Sequence, residues 1–330
     1  MNLSLNADMH SRDIRASLWY NPIAMKDTPE IGQIIRLDVT LRGSGLWLGP
    51  IWAIVCGIIA SGGWKWNPAS LLQGALLFFL VEGAWATLWA AAAETDWATP
   101  AKEWGKSNLT HAPALPYTQP NTPGDRMLRW YSHTVEWWRE HLRPSIGRTA
   151  STIVLCIALG AALSAVLGWP VMALSAAAAA IVQLGVIIGR GTGQPLPALK
   201  ATLEIGLVWL AAYTIFAPAT VTAVQTITSA LLAAAFAAAY GAGLTLVKGG
   251  QRATLWNAAQ FAVAALLVLL RQPVAALAVF FIVIPQLLLE PAVRRGQSPV
   301  STIDTSGVWF VRSAQAWLML GILLAAITIS

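Results

Sequence analysis

Charge is scarce in this chain. Only 11% of its 330 residues are Asp, Glu, Lys or Arg, less than half of the roughly 25% found in soluble domains. That excludes an ordinary water-soluble globule. Cysteine is nearly absent: Cys56 and Cys156 each sit in an apolar run, and neither has a second cysteine or a histidine at metal spacing. Both read as small core residues rather than ligands. Histidine is as rare, and His10, His111, His133 and His141 all lie outside the apolar segments, so ligation of haem or chlorophyll from a helix histidine has no support. His133 and His141 read as interfacial polar residues. There is no nucleophile elbow and no phosphate-binding loop, and the run Gly189-Arg190-Gly191-Thr192-Gly193 lacks the preceding strand that a dinucleotide fingerprint requires. Residues 1–30 hold no apolar run, so no cleavable leader is expected.

What the chain has instead is apolar length. Hydrophobic residues make up 56% of it, and 17 are tryptophan, a residue that anchors membrane proteins at the interface. Crossing a hydrocarbon core of about 30 Å takes about 20 apolar residues in a helix. Nine segments approach that length: 44–62, 70–93, 151–168, 170–189, 203–220, 225–247, 254–270, 273–289 and 307–328. The expected fold class is therefore all-α, a polytopic membrane protein with nine transmembrane helices. Gly168–Pro170 divides the third segment from the fourth, and Pro273 opens the eighth. With the N-terminus inside, 19 of the 21 lysines and arginines fall on the cytoplasmic side, and only Lys65 and Arg271 fall outside. The bias predicts an inner-membrane protein with a cytoplasmic N-terminus and an external C-terminus. It also makes the net charge of +6 a sign of topology, not of nucleic-acid binding.

Two regions are expected: a cytoplasmic N-terminal segment, 1–43, and a single membrane domain, 44–330, which includes a cytoplasmic loop, 94–150. In the first, Ile31, Ile34, Ile35 and Leu37 lie near one side of the run Glu30–Arg42, which predicts an interfacial helix. In the loop, the proline-rich run HAPALPYTQPNTPGD cannot hold a regular helix. Helical spacing then returns over Arg126–Arg143, with Leu128, Tyr131, Val135 and Trp138 in phase. Basic residues alternate there with Trp130, Trp137 and Trp138. That pattern suits a helix in the headgroup layer or a helix that binds a partner.

The candidate site begins on the second segment. Glu82, Trp85, Trp89 and Asp96 fall on one helical stripe, and Thr99 and Glu103 stay close to it if the helix continues. Lipid cannot solvate such a face, so it should turn towards protein or a cavity. A charged Glu82 in lipid would cost roughly 2.5–3.5 kcal/mol. It is expected to be protonated or hydrogen-bonded to a neighbour such as Gln183 or Gln260, serving either a bound head group or helix–helix contact. The plainer reading of Glu94, Asp96 and Glu103 is as solvated charges beside a membrane exit.

The order of these elements, with LWLGPIWAIVCGIIASGG followed by GALLFFLVEGAWATLWAAAAETDW, resembles the intramembrane prenyltransferases of the UbiA superfamily, and among them chlorophyll and bacteriochlorophyll synthases. The resemblance implies nine helices around a central lipid-facing cavity. It also implies a polyprenyl diphosphate held through Mg2+ by two acidic motifs, and transfer of the prenyl chain to an aromatic or tetrapyrrole acceptor. In the first motif Asp96 matches one aspartate, Thr99 replaces the next, and Glu103 stands at the third, which makes these three the implied metal residues. Gln194-Pro195-Leu196-Pro197-Ala198-Leu199-Lys200 resembles the family's proline-rich basic element, so Lys200, Arg190 and Gln194 are the implied diphosphate residues. Glu82, Trp85 and Trp89 would line the cavity.

The second acidic motif is missing from Tyr240–Arg252, and no Asp or Glu occurs between Glu204 and Glu290. Two roles are consistent with that loss. One is a prenyltransferase with an altered Mg2+ site. The other is a non-catalytic relative that holds an isoprenoid, quinone or pigment, or serves as a subunit of a membrane complex. A transporter has less support, since no pair of interrupted helices recurs in matching halves.

Overall fold

Ten helices account for nearly all the described residues, and local sequence explains several of their ends. The computed structural model describes residues 48–95, 97, 122–139, 143–192, 196–248, 253–294 and 306–330, all of which belong to one structural unit. The predicted N-terminal segment, its amphipathic run and the boundary at residue 43 lie outside the described residues. Among those described there is no strand. The helices are α1 (Gly49–Ser61), α2 (Pro68–Ala93), α3 (Pro123–Trp137), α4 (Arg143–Leu167) and α5 (Trp169–Thr192), followed by α6 (Pro197–Phe216), α7 (Ala223–Val247), α8 (Thr254–Leu269), α9 (Pro273–Arg294) and α10 (Ser306–Ile329).

Each predicted apolar segment coincides with one of these helices. Seven of them (α2, α4, α5, α6, α7, α9 and α10) are long and apolar enough to cross a membrane. The other two fall short. At 1.5 Å per residue, the 13 residues of α1 and the 16 of α8 reach about 20 Å and about 24 Å.

The helix ends have local causes. Asn67 Oδ1 accepts from Ser70 N at 2.8 Å to cap α2, with Pro68 in the first turn where its missing N–H costs nothing. Thr222 and Gln225 close a capping box on α7. Between α4 and α5 the chain reverses through Gly168, at φ 111°, a conformation that glycine adopts without a Cβ clash. The shortest predicted turn is therefore real.

Packing follows two groupings. α7, α8, α9 and α10 pack in succession and close back on each other, while α2, α4 and α5 pack together and onto α6. α1 lies between them, against α6, α7 and α10. Its approach to α6 is close because Gly57 has no side chain: a Cβ there would lie 2.6 Å from the Trp209 carbonyl oxygen. Small residues at such crossings let helix backbones meet, which is the main source of contact where lipid replaces water.

The two ends of the bundle differ. At one end Gly62 lies beside Ser330, and Gly63 beside Phe216. At the other, Glu94 meets Lys200, Gly307 meets Leu246, and Trp256 stacks edge-on against Phe310. The second end carries the polar groups. There Gln260 and Gln286 exchange two amide hydrogen bonds of 2.8 Å, Trp256 Nε1 donates to Gln286 Oε1 at 2.6 Å, and Asn257 Nδ2 donates to Glu290 at 2.8 Å. Gln260 is therefore committed to Gln286 across the α8–α9 contact, and Gln183 is exposed.

Overpacking at the α1–α6 crossing gives a direct test. Gly57→Val is expected to cost about 1–3 kcal/mol, read as an earlier midpoint of thermal aggregation in detergent. Gly74→Ala, where the new methyl finds its nearest neighbour at 3.8 Å, is expected to leave that midpoint unchanged or higher.

Candidate functional site

Two helices change pitch at the polar end. Phe79–Ala86 within α2 and Thr202–Leu207 within α6 are π-helical, and the two stretches pack against each other. Each contains one glutamate, Glu82 and Glu204. Such turns are rare, leave carbonyls without their usual partners, and concentrate at functional sites. Here Thr87 Oγ1 donates to the Glu82 carbonyl oxygen at 3.2 Å.

A chain of polar contacts starts from these turns and joins three helices. Trp89 Nε1 donates to Glu94 Oε1 at 3.2 Å, and Lys200 Nζ donates to the same oxygen at 2.9 Å. Lys200 Nζ also lies 3.7 Å from Glu204 Oε1, one helical turn away, and the Tyr240 hydroxyl donates to Glu204 Oε2 at 2.8 Å. Trp89 and Tyr240 are buried. Glu82 lies within electrostatic range of Glu204 and of the Tyr240 hydroxyl. Trp85, on the same stripe, is only 3% exposed, and its Nε1 has no hydrogen-bond partner among the described residues.

Burial ranks the two ion pairs. The Glu94 side chain is 38% exposed and that of Glu204 only 11%. Solvent screens the outer pair, so it contributes little, on the order of 0–1 kcal/mol. The inner pair stabilises mainly by leaving no unpaired charge behind, and stripping one partner from such a pair costs more.

Of the residues assigned from the sequence, Glu82, Trp85, Trp89 and Lys200 gather at this end. Arg190 lies in the last turn of α5. Its side chain lies outside the described residues, as do Gln194, Asp96, Thr99 and Glu103. Magnesium needs several hard oxygen ligands in octahedral array. Among the described residues no three ligating side chains come together, and Glu94 and Glu204 are already engaged by Lys200 and Tyr240. The described residues do not fit a magnesium site.

Sequence reasoning took Glu94 for a solvated charge and gave Glu204 and Tyr240 no part in the site. One signal for them was present: Lys200 and Glu204 are four apart, the spacing of neighbours on a helix face.

A cavity of about 510 Å³ lies between α6, α7 and the start of α8, lined among others by Pro197, Thr202, Gly206, Ala233, Ala237 and Thr245. Thr202 and Gly206 are two residues out of step with Lys200 and Glu204, which puts the cavity on the other flank of α6. Its lining comes from two helices and the start of a third, not from a ring. No protein-family model, curated protein or solved structure matches this chain.

The inner pair is testable through coupling. Lys200→Met is expected to lower thermal stability, and adding Glu204→Gln should restore part of the loss, with a coupling of about 0.5–3 kcal/mol in a double-mutant cycle. Additive losses would mean that the two side chains do not interact.

Proposed function

We propose that this chain is a UbiA-type intramembrane binding protein. In this reading nine helices, α1 and α8 included, surround an apolar chamber that holds an isoprenoid-tailed molecule. The head of that molecule is uncharged and hydrogen-bonding, as in a prenyl quinone or a pigment, and it sits at the cluster of Lys200, Glu94, Glu204 and Tyr240. Trp85 and Trp89 flank it, and other membrane subunits are the expected partners.

One observation carries the proposal. Lys200, which the family resemblance gives to diphosphate, is held between Glu94 and Glu204. Two carboxyl groups therefore already answer the one cation that a diphosphate would need. A diphosphate entering there adds negative charge, and each like-charge contact at 4 Å costs about 4 kcal/mol at an effective dielectric constant near 20. A neutral head with donors and acceptors meets no such opposition.

The second reading is Mg2+-dependent prenyl transfer from a polyprenyl diphosphate. It is favoured by the meeting of Glu94 with Lys200, because Glu94 stands two residues before Asp96. The two stretches that the resemblance makes catalytic therefore share one end of the bundle. In that reading Asp96, Thr99 and Glu103 supply the metal ligands, and Arg190, Gln194 and Lys200 face the diphosphate.

Purification in mild detergent, solvent extraction and mass spectrometry separate the two readings. Under the binding reading a prenyl-tailed quinone or pigment co-purifies with the wild type and is depleted in Glu204→Gln and Tyr240→Phe. No prenylated product then forms from geranylgeranyl or phytyl diphosphate with Mg2+ and candidate acceptors. Turnover that Asp96→Asn abolishes overturns the binding reading in favour of catalysis.

A further inference from the structure

α3 belongs to no part of the site just described, and it is strongly two-sided. Thr122 caps it through Asp125 N, Pro123 sits in its first turn, and a further turn runs to Arg139. None of its residues is buried. At about 100° per residue, Trp130, Met127, Trp138, Tyr131 and Val135 share one half of its circumference with Thr134, whose hydroxyl donates to the Trp130 carbonyl oxygen. Asp125, Arg129, Ser132, His133 and Glu136 occupy the other half. The apolar half is bare: Met127 is 73% exposed and Trp130 62%. So large an apolar surface on a soluble segment marks a docking face.

The chain itself limits what can cover it. α3 and its last turn are described to Arg139, and α4, which is long and apolar enough to cross the membrane, begins at Arg143. The four intervening steps extend to about 14 Å at most, so the end of α3 stays beside the bilayer surface. Tryptophan and tyrosine prefer that layer, and a helix with this division of faces lies in its plane with the apolar side sunk among the upper acyl carbons.

The positive charges refine the reading. Arg129 is bonded to Asp125 one turn away, on the middle of the polar half. Arg126 and Arg139 stand instead at its two borders, next to Trp137 and Leu128, and both are exposed. A guanidinium at such a border meets phosphate oxygens at headgroup level.

We propose that α3 seats its apolar half in the membrane, at the face from which Glu94 emerges, and that Arg126 and Arg139 bind the headgroups of anionic phospholipids there. The inference is independent of what the site at Lys200 holds.

The test uses the whole chain in nanodiscs of phosphatidylcholine, with or without phosphatidylglycerol. Spin labels are placed singly through Tyr131→Cys or Glu136→Cys, since Cys56 and Cys156 are buried and do not compete. The label at 131 is expected to be accessible to oxygen and shielded from a water-soluble nickel complex, and the label at 136 the reverse. Phosphatidylglycerol should move the label at 131 deeper. Arg126→Gln with Arg139→Gln should remove that movement, and Arg129→Gln should not. Nickel access at both positions places α3 in water, and low access to both reagents at 131 places it against protein; either result overturns the proposal. A phosphatidylglycerol response that survives loss of Arg126 and Arg139 overturns the headgroup assignment.

Discussion

Hydrocarbon offers no hydrogen bonds, and every polar group inside the described bundle is placed under that constraint. Trp209 Nε1 donates to Ser229 Oγ at 2.8 Å inside the α6–α7 contact. The paired amides of Gln260 and Gln286 satisfy one another and also take the indole N–H of Trp256. The lysine and glutamates at the polar end follow the same rule, with charge added. A lone Lys200 at the top of α6 would be costly, but between two carboxylates it becomes the join between α2 and α6. Trp85, whose N–H finds no partner among the described residues, is the exception within the stripe that contains Glu82 and Trp89.

This constraint also explains why the site sits where it does. Apolar helices pack almost anywhere along their length, so it is the polar contacts that fix register. Glu94 to Lys200, Glu204 to Tyr240 and Gln260 to Gln286 each tie a different pair of helices, and all lie toward one end. Close backbone approaches occur at both ends, Gly63 against Phe216 and Gly307 against Leu246. The polar end thus adds specific chemistry to shape.

Much of the fold was legible because its code is coarse. Runs of apolar residues, a glycine at 168 and a proline at 273 locate helices without knowledge of their neighbours, whereas Pro123, read as part of a run that cannot hold a helix, opens α3 at its first turn. α3 was legible for the same reason, since helical phase survives without tertiary context. The site was not legible in this way. The π-helical turns at Phe79–Ala86 and Thr202–Leu207 have no composition signature, and they displace the residues that follow from any 3.6-residue stripe. The pairing of Glu94 with Lys200 spans a separation of 106 positions, which periodicity cannot reach. Gln260 was the reverse case: its polarity in an apolar run was visible, but whether it faced Glu82 or Gln286 depended on which helices were adjacent.

The two short helices differ in what surrounds them. α1 has no exposed residue from Gly49 to Ser61, so its shortfall against the hydrocarbon layer is taken up within the protein. α8 is bordered otherwise, with Leu255, Phe261, Val268 and Leu269 all exposed along it. If α8 spans the bilayer as the ninth helix, acyl chains beside it would meet a hydrophobic wall about 6 Å lower than the ~30 Å they normally fill. They would then have to shorten or splay to match it, at fractions of a kcal/mol per ångström, and that edge would favour molecules suited to thin membrane.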